Sequence, residues 1–183
     1  IFDQSYNVNT RGLYYFLKSI KNEKLNCRLF YPSSSLIFDN SSIIKNEESK
    51  INPQCIYSMT KFQGMLLCNY FREIHNIYVS VGMLFNHESN FRKDEFISKK
   101  IVKNVALISM GIKNSFTLGN LNAKVDWSYA GDFTNAFQKI MKLNSSAEFI
   151  IASSEAHTVR EFVKIAFDEV NLDWKIYTKI DKY

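Results

Sequence analysis

The chain has 183 residues, of which 46% are hydrophobic and 15% aromatic, enough to bury a sizeable core and to exclude a disordered chain. No run of about 18 apolar residues is free of charge, and Ile1-Phe2-Asp3-Gln4 carries neither a basic nor an apolar leader, so the expectation is a soluble, cytoplasmic protein with no membrane partner. The net charge of +5 comes from scattered lysines without a basic block, which argues against nucleic acid and suits anionic small molecules.

From the amino terminus, Leu13, Phe16, Leu17 and Ile20 recur at helical spacing behind the polar stretch Asn7 to Gly12. Cys27 to Tyr31 reads as a short buried strand ending at Pro32, followed by Ser33, Ser34 and Ser35. Residues 39 to 54, with Asn40, Ser41, Ser42 and Glu47-Glu48, read as a polar surface loop closing at Pro53. Tyr57 to Ile74 has a helical period in Phe62, Met65, Leu66, Cys68 and Phe71. A β-rich run, Ile77 to Phe85, follows and ends in Asn86-His87-Glu88-Ser89.

The second half continues the alternation. Phe96 to Met110 predicts a helix stopped by Gly111, with Lys99, Lys100 and Lys103 on its polar side. Ser115 to Asn120 predicts a strand and turn, Asp126 to Tyr129 an extended piece, Ala130 to Met141 a helix and Ala147 to Ala152 a strand. Thr158-Val159-Arg160-Glu161 has the spacing of a capping box and starts a helix through Phe167. Strands alternating with helices argue for an α/β fold with a largely parallel sheet. Cys27, Cys55 and Cys68 are odd in number and lack C-x-x-C spacing, so neither a disulfide framework nor a metal site is expected.

The chemistry concentrates at Tyr57-Ser58-Met59-Thr60-Lys61. A tyrosine and a lysine four apart share one helix face, so the ammonium sits beside the phenol and favours its ionised form, which makes a candidate general base. Taken alone, such a pair is more often packing with a wet hydroxyl. Serines at the carboxyl end of the preceding strand lie where parallel sheets bind ligands, although a serine-rich turn is the commoner meaning of three serines.

Serines at a strand end, Tyr-x-x-x-Lys on the next helix and a polar cluster after the next strand together resemble the extended short-chain dehydrogenase/reductase family. The branch resembled most is GDP-mannose 4,6-dehydratase, through Leu84-Phe85-Asn86-His87-Glu88-Ser89, Leu118-Gly119-Asn120-Leu121-Asn122-Ala123-Lys124, Asp126-Trp127 and His157-Thr158-Val159-Arg160-Glu161-Phe162-Val163. Asn9 looks like that family's structural asparagine. The resemblance implies a Rossmann-type parallel sheet flanked by helices, with cofactor-binding parts at residues 1–87 and 125–145. A smaller, incomplete substrate-binding region would take residues 88–124 and 146–183.

It also implies NADP as cofactor, with NAD possible, a GDP-sugar as substrate, and a homo-oligomer, dimer or tetramer. Ser34, Tyr57 and Lys61 would be catalytic; Tyr57, Lys61, His87 and Arg92 would contact the cofactor; Ser34, Ser35, Asn86, Lys100, Asn120 and Lys124 would contact the substrate. The implied reaction oxidises the sugar at C4 and eliminates water between C5 and C6.

Three departures qualify that expectation. The glycine-rich dinucleotide fingerprint is absent from these residues, as if the amino-terminal part of the fold were missing. The family's Thr-Ser-Glu stands here as Ser34-Ser35-Leu36, so the carboxylate for elimination is replaced by an aliphatic chain. The family's Arg-Asp-Trp stands as Val125-Asp126-Trp127, without the arginine expected to hold a diphosphate bidentately. An alternative is therefore a C4 epimerase or reductase without elimination, and another is a non-catalytic sugar-nucleotide-binding homologue.

Overall fold

The computed structural model describes residues 2–39 and 44–181, so Asn40, Ser41 and Ser42 of the expected surface loop lie outside the described residues. The chain forms two compact units, one of residues 1–85 and 131–151, the other of residues 86–130 and 152–183.

The first unit opens with α1 (Phe2–Tyr6), a π-helical turn (Asn7–Arg11) and α2 (Gly12–Asn22). The helix thus begins well before the apolar stripe that predicts it. Leu13, Leu17 and Ile20 are buried, whereas Phe16, expected with them, lies on the flank of the stripe and is 69% exposed. After β1 (Leu29–Ser34) come a 3-10 turn (Ser35–Ile37), α3 (Ile56–His75) and β2 (Val79–Leu84); α5 (Ala130–Ile140) and β6 (Glu148–Ile151) complete the unit. The strands run parallel in the order β1-β2-β6.

β1 runs through Pro32 to Ser34, and pairing explains why the proline does not end it. Leu29 donates to Tyr78 in the neighbouring chain segment, so the alternate positions, Pro32 among them, turn their backbone groups away from β2. The missing N–H costs no bond of that ladder.

Alternation along β2 serves two layers. Val79, Val81 and Met83 pack with Leu13, Leu17, Met65, Cys68 and Phe71 from α2 and α3, while Leu84 packs with Phe133, Ile140 and Ile151 on the side of α5. At Gly82 an added Cβ would lie 2.4 Å from the ring of Phe30, so the glycine admits that ring between β1 and α5. The described part of the surface loop is tied back at both ends: Phe38 bridges Ile51, Asn52 donates to Ile37, and the Glu47 carboxylate accepts from the Ile150 amide at 2.8 Å.

The second unit contains β3 (Asn86–Glu88), α4 (Ile97–Ser109), β4 (Phe116–Leu118), β5 (Lys124–Tyr129), β7 (Ala156–Thr158), α6 (Val159–Asp168), α7 (Trp174–Tyr177) and β8 (Thr178–Ile180). β5 pairs with β3 in parallel and with β7 in antiparallel, and β4 pairs with β8 in parallel. Its core is Ile101, Val105 and Ile108 of α4 against Val159, Val163 and Phe167 of α6, with Phe116, Leu118 and Leu121. The units differ from the expected division at three boundaries, the first by two residues, since Asn86 and His87 lie on β3 in the second unit. Residues 125–130 fall in the second unit because β5 bonds to β3 and β7, and residues 146–151 fall in the first because β6 bonds to β2.

Candidate functional site

In the first unit the helix bearing Tyr57 and Lys61 is fixed at its start by several independent contacts. Cys55 is the N-cap, its sulfur accepting from the Ser58 amide while the Ser58 hydroxyl accepts from the Cys55 amide. Ser58 lowers the pKa of the Cys55 thiol through those hydrogen bonds. The hydroxyl of fully buried Thr60 accepts from the Asn9 side-chain amide at 3.0 Å, and the Thr60 carbonyl accepts from the Thr10 hydroxyl at 3.0 Å. Asn9 and Thr10 sit in the π-helical turn, where widened winding aims their side chains at α3.

Along the face of α3 directed at β1 stand Tyr57, Lys61, Gly64 and Cys68, spaced three or four apart. Gly64 is where a side chain of β1 lies against the helix backbone. The Tyr31 hydroxyl occupies the place of a side chain there, 2.1 Å from where a Cβ would stand, and donates to Asn9 O at 3.0 Å. Burial, with Cys68 and Tyr57 adding to it, raises the Tyr31 pKa above the ordinary phenol value. The Lys61 ammonium donates to Pro32 O at 2.7 Å and lies 5.2 Å from the Tyr31 ring centre and 5.7 Å from that of Tyr57. Its burial pushes the Lys61 pKa down. Tyr57 itself is 43% exposed.

Ser34 ends β1 buried, and its hydroxyl oxygen accepts from the Leu36 amide at 3.2 Å, capping the 3-10 turn. That bond uses a lone pair and leaves the O–H free to donate elsewhere. Ser35 is half-buried in the same turn, which packs against α3. The Leu36 side chain is 58% exposed, an aliphatic group facing water where an acid is expected.

The remaining expected site residues are in the second unit. Asn86 is exposed and His87 half-buried on β3. Glu88 accepts from Ser98 in the first turn of α4 at 2.7 Å and ion-pairs with Arg92 at 3.1 Å, although the Arg92 Nε is not aligned for a hydrogen bond there. The Arg92 guanidinium also stacks 3.6 Å from the Phe96 ring centre, so its direction is set by two neighbours. Lys100 is half-buried on α4; Asn120 uses its side-chain oxygen to accept from Asn122 in a turn; Lys124 is exposed at the start of β5.

Asp126 organises its own corner, its carboxylate accepting from the Ser153 amide and hydroxyl and the Ser154 amide, which holds Ser154 at φ 67°. The expected capping box at Thr158 and Glu161 is present, and Thr158 lowers the Glu161 pKa by donating to its carboxylate. Sequence reasoning missed Tyr31 and Gly64. A signal was available: a glycine inside a helix, two turns on from Tyr57, marks a close approach.

The family profile described as GDP-mannose 4,6 dehydratase matches residues 3–182. GDP-mannose 4,6 dehydratase 1 of Arabidopsis thaliana is 28% identical over 98% of this chain and 51% of its own length. The Homo sapiens GDP-mannose 4,6 dehydratase is 36% identical over 78% of this chain and 39% of its own. The chain thus spans about half, or less, of the curated relatives it matches. Among solved structures, RMD from Pseudomonas aeruginosa complexed with NADPH superposes with a TM-score of 0.89 at 19% identity, covering 96% of this chain and 60% of that one.

Proposed function

The chain belongs to the GDP-mannose 4,6-dehydratase family, and from that membership we propose that it serves a nicotinamide-dependent enzyme acting on the C4 position of a GDP-sugar. The observation that carries the reading is the arrangement in the first unit: a half-exposed phenol, an ammonium beside it and a serine hydroxyl with its proton available, on a helix and a strand end that pack together. Tyr57 takes the proton of the sugar's C4 hydroxyl, Ser34 hydrogen-bonds the same oxygen and orients it, and the Lys61 charge favours the phenolate.

The donor set suits a nicotinamide cofactor: Lys61 and Tyr57 offer an ammonium and a phenol to sugar hydroxyls, and His87 and Arg92 are the further residues proposed to hold it. When bound, that group, NADP by family likeness with NAD as the alternative, supplies the hydride acceptor and donor. Asn86, Ser35, Lys100, Asn120 and Lys124 are proposed to contact the sugar nucleotide.

In the dehydratase form of this reading, water leaves between C5 and C6. A second form performs C4 oxidation or reduction alone, and exposed Leu36 favours it, because an acid/base at that step is worth about a hundred- to ten-thousand-fold in rate.

The full-length protein incubated with GDP-mannose and other GDP-sugars decides between them. A 4-keto-6-deoxy product establishes elimination. A nicotinamide signal without that product, together with elimination gained by Leu36→Glu, establishes C4 chemistry alone. Tyr57→Phe should lower either rate by at least a hundredfold. Sugar-nucleotide binding with no turnover in the unmodified protein would make it a non-catalytic homologue and sink the enzymatic reading.

A homo-oligomer, dimer or tetramer, belongs to the same proposal. Tyr6, Tyr14 and Leu66 line a groove of about 510 Å³ on α1, α2 and α3, and Phe2 and Tyr70 are about half exposed on the same helices, a face that a second copy would cover. Light scattering of the purified protein tests it, and a monomer at all concentrations would refute it.

A further inference from the structure

We propose that Tyr31 is a positioning residue for the candidate site, its ring serving as the platform that holds the Lys61 ammonium against Tyr57. The inference rests on the reading of Tyr57 and Lys61 given above, and it concerns a residue that neither the Tyr-x-x-x-Lys pattern nor the serine run includes.

Three observations converge on it. The ammonium lies 5.2 Å from the Tyr31 ring centre, within cation–π range, and the Tyr57 ring is on the same charge at 5.7 Å. The ring is 5% exposed, so it holds the cation where water screens little. Its hydroxyl is anchored by donation to Asn9 O at 3.0 Å, with Lys61 O at 3.4 Å, and Gly64 opens the space in which that anchor fits.

An ammonium on a flexible four-carbon stem has many places to go. Here the carbonyl of Pro32 fixes one direction and the Tyr31 ring closes another, leaving the charge beside the phenol that needs it. Among the described residues, the titratable groups facing the ammonium are the phenols of Tyr31 from β1 and Tyr57 from α3, and the Cys68 thiol acts in turn on Tyr31.

Two variants of the full-length protein separate the ring from the hydroxyl. Tyr31→Phe keeps the π face; Tyr31→Leu keeps an apolar side chain and removes it. The first readout is the titration of Lys61, followed by NMR after reductive 13C-methylation of lysines, which requires no turnover. The second is kcat and KM against pH. The expected result is a Lys61 titration within about 0.3 unit of the unmodified protein in Tyr31→Phe and lower by about one unit in Tyr31→Leu. The same Leu variant should lose about tenfold in kcat with KM unchanged.

A Lys61 titration unmoved in Tyr31→Leu would overturn the proposal, as would equal displacement in both variants, since the hydroxyl and not the ring would then be responsible. If the unmodified protein turns over no GDP-sugar, the functional reading fails while the titration still decides the role of Tyr31.

Discussion

The three cysteines sit in three different environments, and their chemistry should separate accordingly. Cys55 is exposed at a helix start with its thiol pKa lowered, Cys27 is exposed, and burial pushes the Cys68 thiol up to about 12. Alkylation at neutral pH, followed by peptide mass mapping, should mark Cys55 first and leave Cys68 unmodified until the protein unfolds. The buried thiol also links stability to pH. Cys68 titrates near the ordinary thiol value of 9.0 when unfolded and only at about 12 when folded, so its contribution is complete below pH 9 and is lost as pH rises toward 12. Tyr31, its pKa raised above 10.0, acts in the same direction at still higher pH. Urea midpoints for Cys68→Ala should therefore fall less between pH 8 and pH 10.5 than those of the unmodified protein.

Helix α3 bears both Tyr57 and Lys61, and its seating on β1 and the π-helical turn is where substitution should tell. Gly64→Ala would place a Cβ 2.1 Å from the Tyr31 hydroxyl and 2.8 Å from the Asn9 carbonyl, so either the tyrosine or the helix must shift. Overpacking of this kind costs about 1–3 kcal/mol, more than the small gain in helix propensity returns, and urea unfolding should show the net loss. Much of α3 was legible in the sequence: the period through Met65, Cys68 and Phe71 sets its buried face, and the observed helix starts one residue before Tyr57. The π-helical turn was not legible, because nothing in Asn7 to Arg11 reveals locally that Asn9 and Thr10 bond to Thr60, 51 and 50 residues away. Pro32 misled for a related reason. A proline ends a strand only if its nitrogen, which has no hydrogen to donate, faces a partner, and that direction is set by pairing with β2, outside the local sequence. The short strands β3, β7 and β8 have three residues each, too few for any alternation to register.

At the scale of the molecule, each unit has its own core. That of the second unit closes around Phe167, which is fully buried and stacks with Phe116 and Tyr177. Phe167→Ala should cost about 3–5 kcal/mol there, read as lost hydrogen-exchange protection in α4 and α6. Ser34, Tyr57 and Lys61 could be named as candidates from the sequence, while the contacts that hold Lys61 emerge only once β1 and α3 are brought together.

The order in which the chain supplies the first sheet has a kinetic consequence. β2 is buried along its whole length, yet one of its two neighbours, β6, is synthesised only after the entire stretch 86–130 has been made. During synthesis Val79 to Leu84 therefore waits with one edge unpaired, an apolar strand open to pairing with another chain. The step that ends this exposure is a long-range closure, slow by the usual relation between sequence separation and rate. Refolding should show its slowest protection at Val81 to Phe85, and aggregation should rise when β6 is weakened.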